Sequence, residues 1–173
     1  MDHRSGCPIN LAVEVLGDRW SIIVLRDIMF GNRRSYREIL VNSEERIATN
    51  ILAARLKHLE AAGLIGAVDD PAHKQRKRLN LTDKAIALVP VMAQLGAWGV
   101  QYMPCAPELA IRAKLLAEGG PAMWEDFMGE LRHIHLGTPM PMSGRSVLTE
   151  LSEAYQRELA ALEPDRKYQP FWP

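Results

Sequence analysis

The stretch from Thr49 to Ala62 constrains this chain more than any other. Leu52, Leu56 and Leu59 recur at i, i+4 and i+7, which makes one apolar seam of an α-helix. Thr49, Asn50, Ala53 and Lys57 fall on the opposing side. Leucines behind and small or polar groups in front describe a helix that buries one face and offers the other. Gly63 ends it, with Leu64 placed for the hydrophobic contact that accompanies a glycine C-cap.

Short helices punctuated by glycine precede it. Pro8 to Leu16 sets Ile9, Ala12, Val13 and Leu16 on one helical face ahead of Gly17. Trp20 to Phe30 is apolar around most of its circumference and is therefore predicted to be a central, buried helix. Tyr36 to Leu40 is a third short helix, reached through the basic run Arg33-Arg34-Ser35.

After Gly63 the period changes. Leu64 to Val68 and Arg78 to Leu81 are strand candidates, separated by a segment in which Pro71 and two aspartates mark a turn. Four of the five residues before Leu79 are Lys or Arg, so the hairpin is expected to carry a polar, basic tip. Thr82 is a candidate N-cap for a helix running to about Met103, with a kink or break near Leu88 imposed by Pro90.

Beyond Pro104 three further helices are predicted: Pro107 to Glu118, Ala122 to Leu136, and Ser146 to Leu162. Gly119-Gly120-Pro121 separates the first two, and a loop with Pro139 and Pro141 the last two. The chain divides into an amino-terminal domain, 1–104, and a helical extension, 105–173. Its net charge of zero hides an asymmetry, because residues 1–104 carry 14 Lys+Arg against 11 Asp+Glu and residues 105–173 carry 7 against 10. A basic first half permits contact with phosphates without proving it.

Other classes find little support. No uninterrupted apolar run is long enough to span a membrane, and residues 1–6 carry no apolar signal-peptide region, so a cytoplasmic location is expected. Two cysteines, Cys7 and Cys105, make no disulfide framework and no metal cluster. His133 and His135 are two apart and point to different helix faces, so a shared metal is not expected. No phosphate-cradling glycine loop or nucleophile elbow is present, so no enzyme and no cofactor are predicted.

Helix, helix, helix, helix, hairpin, helix is the layout of a winged helix-turn-helix: a mainly α fold with a small β-hairpin wing, here followed by a C-terminal helical extension. A helix of this kind fits the major groove, and basic flanks reach phosphates. The segment Arg33, Arg34, Ser35 and Tyr36 is placed to add such contacts. The residues also resemble a family, the HxlR-type regulators, relatives of the MarR group. The matching pieces are Cys7-Pro8, Gly17-Asp18-Arg19-Trp20, Leu25-Arg26-Asp27, Arg34-Ser35-Tyr36-Arg37-Glu38-Ile39, Ile47-Ala48-Thr49-Asn50-Ile51-Leu52, Leu59-Glu60-Ala61-Ala62-Gly63-Leu64-Ile65 and Leu81-Thr82-Asp83-Lys84. They cover about Cys7 to Gly99, whereas nothing after Pro104 can be carried over.

The resemblance implies a homodimeric regulator on double-stranded DNA, usually a repressor, with one recognition helix per subunit on a pseudo-palindromic operator. It makes Thr49, Asn50 and Ala53 groove-facing, gives Arg55 and Lys57 to the duplex, and places His73, Lys74, Arg76 and Lys77 on the wing. Asn50 suits adenine but also suits a helix cap, and Arg55 either reaches a phosphate or pairs within the fold. Cys7 stands where some members carry a redox sensor, and it also reads as a small packed residue. Met123, Met128, Met140 and Met142 either line a pocket for a small-molecule effector or fill the core. A protein-interaction adaptor that has lost DNA affinity is the remaining alternative.

Overall fold

A computed structural model describes the backbone of residues 5–70, 73–141 and 143–162, and the same side chains apart from those of 70 and 73–76. Four helices come first: α1 (Pro8–Leu16), α2 (Ser21–Gly31), α3 (Tyr36–Asn42) and α4 (Thr49–Ala61). A two-stranded antiparallel hairpin follows, β1 (Ile65–Asp70) and β2 (His73–Leu81). Then come α5 (Asp83–Ile86), α6 (Val89–Tyr102), α7 (Pro107–Leu136) and α8 (Val147–Ala161).

Packing divides the chain into two units that do not coincide with the halves 1–104 and 105–173. One consists of the described residues within Met1–Leu88 together with Leu131–Met140; the other comprises Val89–Glu130 and the described residues from Pro141 onward. The end of α7 thus returns to the amino-terminal unit, a tertiary choice that no local pattern announces.

The first unit is built around α2. Val24, Leu25, Ile28 and Met29 are fully buried, as expected for a helix apolar on most sides. Against them pack Ile39 of α3, Leu52 and Leu59 of α4, and Leu81 of β2. Asp18 starts α2 by accepting the N–H groups of Trp20 at 2.8 Å and Ser21 at 3.0 Å, together with the Ser21 hydroxyl. After α4, Gly63 turns the chain at φ +68°, where a side chain would be strained, and Leu64 then drops into the core.

The hairpin differs from expectation. β2 begins at His73 rather than at Arg78, so Lys77 lies in the strand rather than on a basic tip, facing Asp69 across the ladder, while Arg78, in the strand as expected, faces Val68. These consecutive side chains point to opposite faces and both are exposed, so this end of the two-stranded sheet is solvated on either side and accepts charge on both. Thr82 then caps α5, accepting from the Ala85 N–H, and donates its hydroxyl to the Gly63 carbonyl at 2.8 Å.

Pro90 breaks the next helix as predicted: α5 ends at Ile86, α6 begins at Val89, and Pro90 sits in the first turn, where its missing N–H costs nothing. Asp83–Tyr102 is long and apolar enough to cross a membrane by length and composition alone. Divided in this way, its longer piece α6 rises only about 21 Å, short of a hydrocarbon core of about 30 Å.

The second unit buries Met123, Phe127, Leu116, Val147, Leu151 and Ala154. The Gly119-Gly120-Pro121 break is real, for Gly120 leaves helical geometry at φ +57°, ψ −156° inside α7. Glu130 is buried and accepts from the Ser146 hydroxyl at 2.6 Å and the Leu148 N–H at 3.1 Å, which ties it to the start of α8. A carboxylate there complements the exposed N–H groups and partial positive charge of a helix N-terminus. Met123 and Met128 are core, Met140 is exposed, and Met142 lies outside the described residues.

Candidate nucleic-acid interface

The outer face of α4 is open. Thr49, Asn50, Ala53 and Lys57 are all exposed while Leu52 and Leu59 are fully buried, so the leucine seam alone fixes which side looks outward. Ala48 precedes the helix without a side-chain cap. Asn50 therefore lies inside the first turn with its amide free of a capping role.

Side-chain hydrogen bonds brace both ends of α4. The Tyr36 hydroxyl donates to the Thr49 carbonyl at 3.0 Å, bracing α3 against the first turn. His58 Nε2 lies 2.9 Å from the Val15 carbonyl, which anchors the far end to α1. Tyr36 thus has a bracing role that the sequence did not disclose. Ser35 is likewise engaged, accepting from the Glu38 N–H at 3.2 Å as the N-cap of α3.

The cations sort into two groups. Arg34 is a correction: it is buried, 7% exposed, and its guanidinium donates to the carbonyls of Leu79 at 3.2 Å and Ile134 at 3.1 Å and to the Asn80 side chain. Burial, then Arg78 nearby, lowers its pKa to about 10. It faces inward because two backbone carbonyls there would otherwise lack partners. Arg33 is half-buried and holds Asp27 at 3.0 Å. Arg55 takes the second of its two alternatives, pairing with Asp18 at 2.9 Å and so fastening α4 to the start of α2. Asp18 stays below the usual carboxylate range: burial opposes this, but the bonds from Ser21, Trp20 and Arg55 prevail.

Lys57 remains outward, and so do two cations the sequence reading did not single out, Arg37 on α3 and Arg78 on β2. On the wing Lys77 is exposed and pairs with its cross-strand neighbour Asp69 at 3.0 Å. The side chains of His73, Lys74 and Arg76 lie outside the described residues. Cys7 is exposed immediately before α1, where the N–H groups of Asn10 and Ile9 pull its thiol below the usual range.

A braced helix with an open polar face, followed by a two-stranded wing, is a winged helix-turn-helix. Residues 15–107 match the family described as HxlR-like helix-turn-helix. The chain belongs to that family. This HxlR-like chain is 30% identical over 105 residues to an HTH-type transcriptional regulator of Mycobacterium tuberculosis, covering 60% of the present chain and 65% of that protein. It therefore spans less than two thirds of that relative's length. It is 28% identical to the HTH-type transcriptional regulator YvaP of Bacillus subtilis, covering 60% of the chain and 94% of YvaP. A crystal structure of PA1607, a transcription-factor candidate, superposes with TM-score 0.54 at 35% identity, over 60% of this chain and 70% of that one. These relatives are named as transcription regulators, not enzymes.

Proposed function

We propose that this HxlR-like protein is a cytoplasmic homodimeric repressor that binds a pseudo-palindromic operator through α4. The carrying observation is the exposed face Thr49, Asn50, Ala53 and Lys57, which is backed by buried leucines and carries no acidic side chain until Glu60 in the last turn. An α-helix of this kind fits the major groove, where an amide side chain can bridge adenine N6 and N7. Exposed Lys77 and Arg78 on the wing supply phosphate contacts that fix register.

The dimer reading rests on exposed apolar side chains. On α6, Val91, Leu95, Trp98 and Tyr102 recur at i, i+4, i+7 and i+11, and each is about half exposed. On α1, Ile9 and Val13 are open as well. Apolar stripes of this extent mark association surfaces, and a second copy is the occupant that a two-fold operator requires. The paired recognition helices would then lie about 34 Å apart. Selection of bound genomic fragments, followed by footprinting, tests the reading. A protected inverted repeat is expected, whereas failure to retain any duplex at low salt would favour the adaptor alternative.

A second reading concerns Cys7. An exposed thiol with a lowered pKa is the form that oxidants and electrophiles attack, so a redox input to DNA binding is supported. Alkylation rates settle it: Cys7 reacting no faster than Cys105 would end the idea.

A further inference from the structure

From the geometry of the loop between α3 and α4 we infer that Arg46 is a phosphate contact of the DNA interface, kept in a backbone conformation that disfavours its side chain. The inference rests on the DNA reading above and assigns one further residue to it.

Arg46 has φ +52°, in the left-handed region that a residue with a Cβ occupies at a cost. Its neighbours show why the turn is needed. The Arg46 N–H donates to the Ser43 carbonyl at 3.1 Å, closing a tight reversal, and the next residue, Ile47, is buried in the core. Ser43 is buried too, and its hydroxyl oxygen accepts from the Ile47 N–H at 3.4 Å. The reversal therefore swings the chain so that Ile47 points in and Arg46 points out, three residues before the recognition helix begins.

Glycine would make this turn without penalty, and asparagine nearly so, as the α2 C-cap Asn32 at φ +46° illustrates. An arginine there gains nothing locally, since it is exposed and no ion pair or side-chain bond involves it among the described residues. Three other arginines of this unit are committed elsewhere: Arg26 holds Glu45 at 2.6 Å, Arg33 holds Asp27, and Arg55 holds Asp18. The Arg26 bond also takes Glu45 off the loop's charge, leaving Glu44 as its exposed acid. Strain retained at an uncommitted, exposed cation marks a functional position. The ligand this site suits is a backbone phosphate flanking the groove that α4 enters, because a phosphate offers a guanidinium two oxygens regardless of base sequence.

The test uses the full chain and a fluorescent mixed-sequence duplex, titrated across a range of salt. In Arg46→Asn the slope of log K against log salt should fall by about one, with affinity reduced about fivefold near physiological salt. Its thermal midpoint should be equal to or above that of the parent, because asparagine fits the turn better. Arg46→Lys should keep the slope. An Arg46→Asn protein with unchanged slope, or an Arg46→Lys protein that loses as much as Arg46→Asn, overturns the assignment. A parent protein that binds no duplex at low salt overturns the DNA reading itself, and this assignment with it.

Discussion

Arg34 Nη1 donates to the carbonyl oxygen of Ile134 at 3.1 Å, joining residues 100 positions apart in the chain. The same guanidinium reaches Leu79, so the loop before α3, the strand β2 and the end of α7 meet on one buried side chain. Arg34→Met should therefore destabilise the protein by about 2–4 kcal/mol, since it strands buried carbonyls without partners. Urea unfolding measures this. A variant of parental stability with a shallower salt dependence of DNA binding would return Arg34 to the interface.

His135 sits beside that clamp, buried, with Nδ1 accepting the Leu81 N–H at 3.3 Å. Burial, then the charges of Arg34 and Arg78, push its pKa down to about 4. The folded state thus favours the neutral imidazole, while the unfolded chain takes a proton near pH 6.5. Stability from this group is complete above about pH 6.5 and is lost as pH falls toward 4, by about 3 kcal/mol. His135→Phe should be less stable at neutral pH but flatter over that window. Parallel pH profiles for the two proteins would refute it.

The open face of α4 and the wing should separate specificity from affinity. Asn50→Ala is expected to cost about 1–3 kcal/mol at one base position and little at others. Lys74→Ala combined with Lys77→Ala should weaken binding to every sequence and flatten its salt dependence. Anisotropy titrations against an operator and its single-base variants distinguish the two patterns. Identical behaviour of both variants would remove the division of labour.

Trp98 is 51% exposed, and its ring lies tilted against that of Tyr102 on its own helix, with ring centroids 5.5 Å apart. Trp98→Asp should change the stability of the monomer by no more than about 0.5 kcal/mol. It should nonetheless abolish self-association, because a charge in an apolar contact must be desolvated without a partner. Sedimentation velocity gives the answer, and a Trp98→Asp protein that sediments as the parent does would move the dimer contact elsewhere.

Much of this was legible in the residues. The leucine seam of α4, the apolar girth of α2, Pro90 at the helix break and Gly120 at the interruption of α7 each act through nearest neighbours in the chain, so a linear reading reaches them. Thr49, Asn50 and Ala53 were legible for the same reason: a helix that buries Leu52 and Leu59 has only one other side.

The direction of each arginine was not. Arg33, Arg34, Arg46 and Arg55 look alike as letters, yet one is buried on backbone carbonyls, two close onto aspartates, and Arg46 stands free on a strained turn. A guanidinium on a long stem takes whichever partner the fold delivers, and Asp18, Asp27 and Ile134 arrive from other elements. Local periodicity determined the helices, the wing and the outward face; only folding in three dimensions decided which charges were paired inside and which were left exposed.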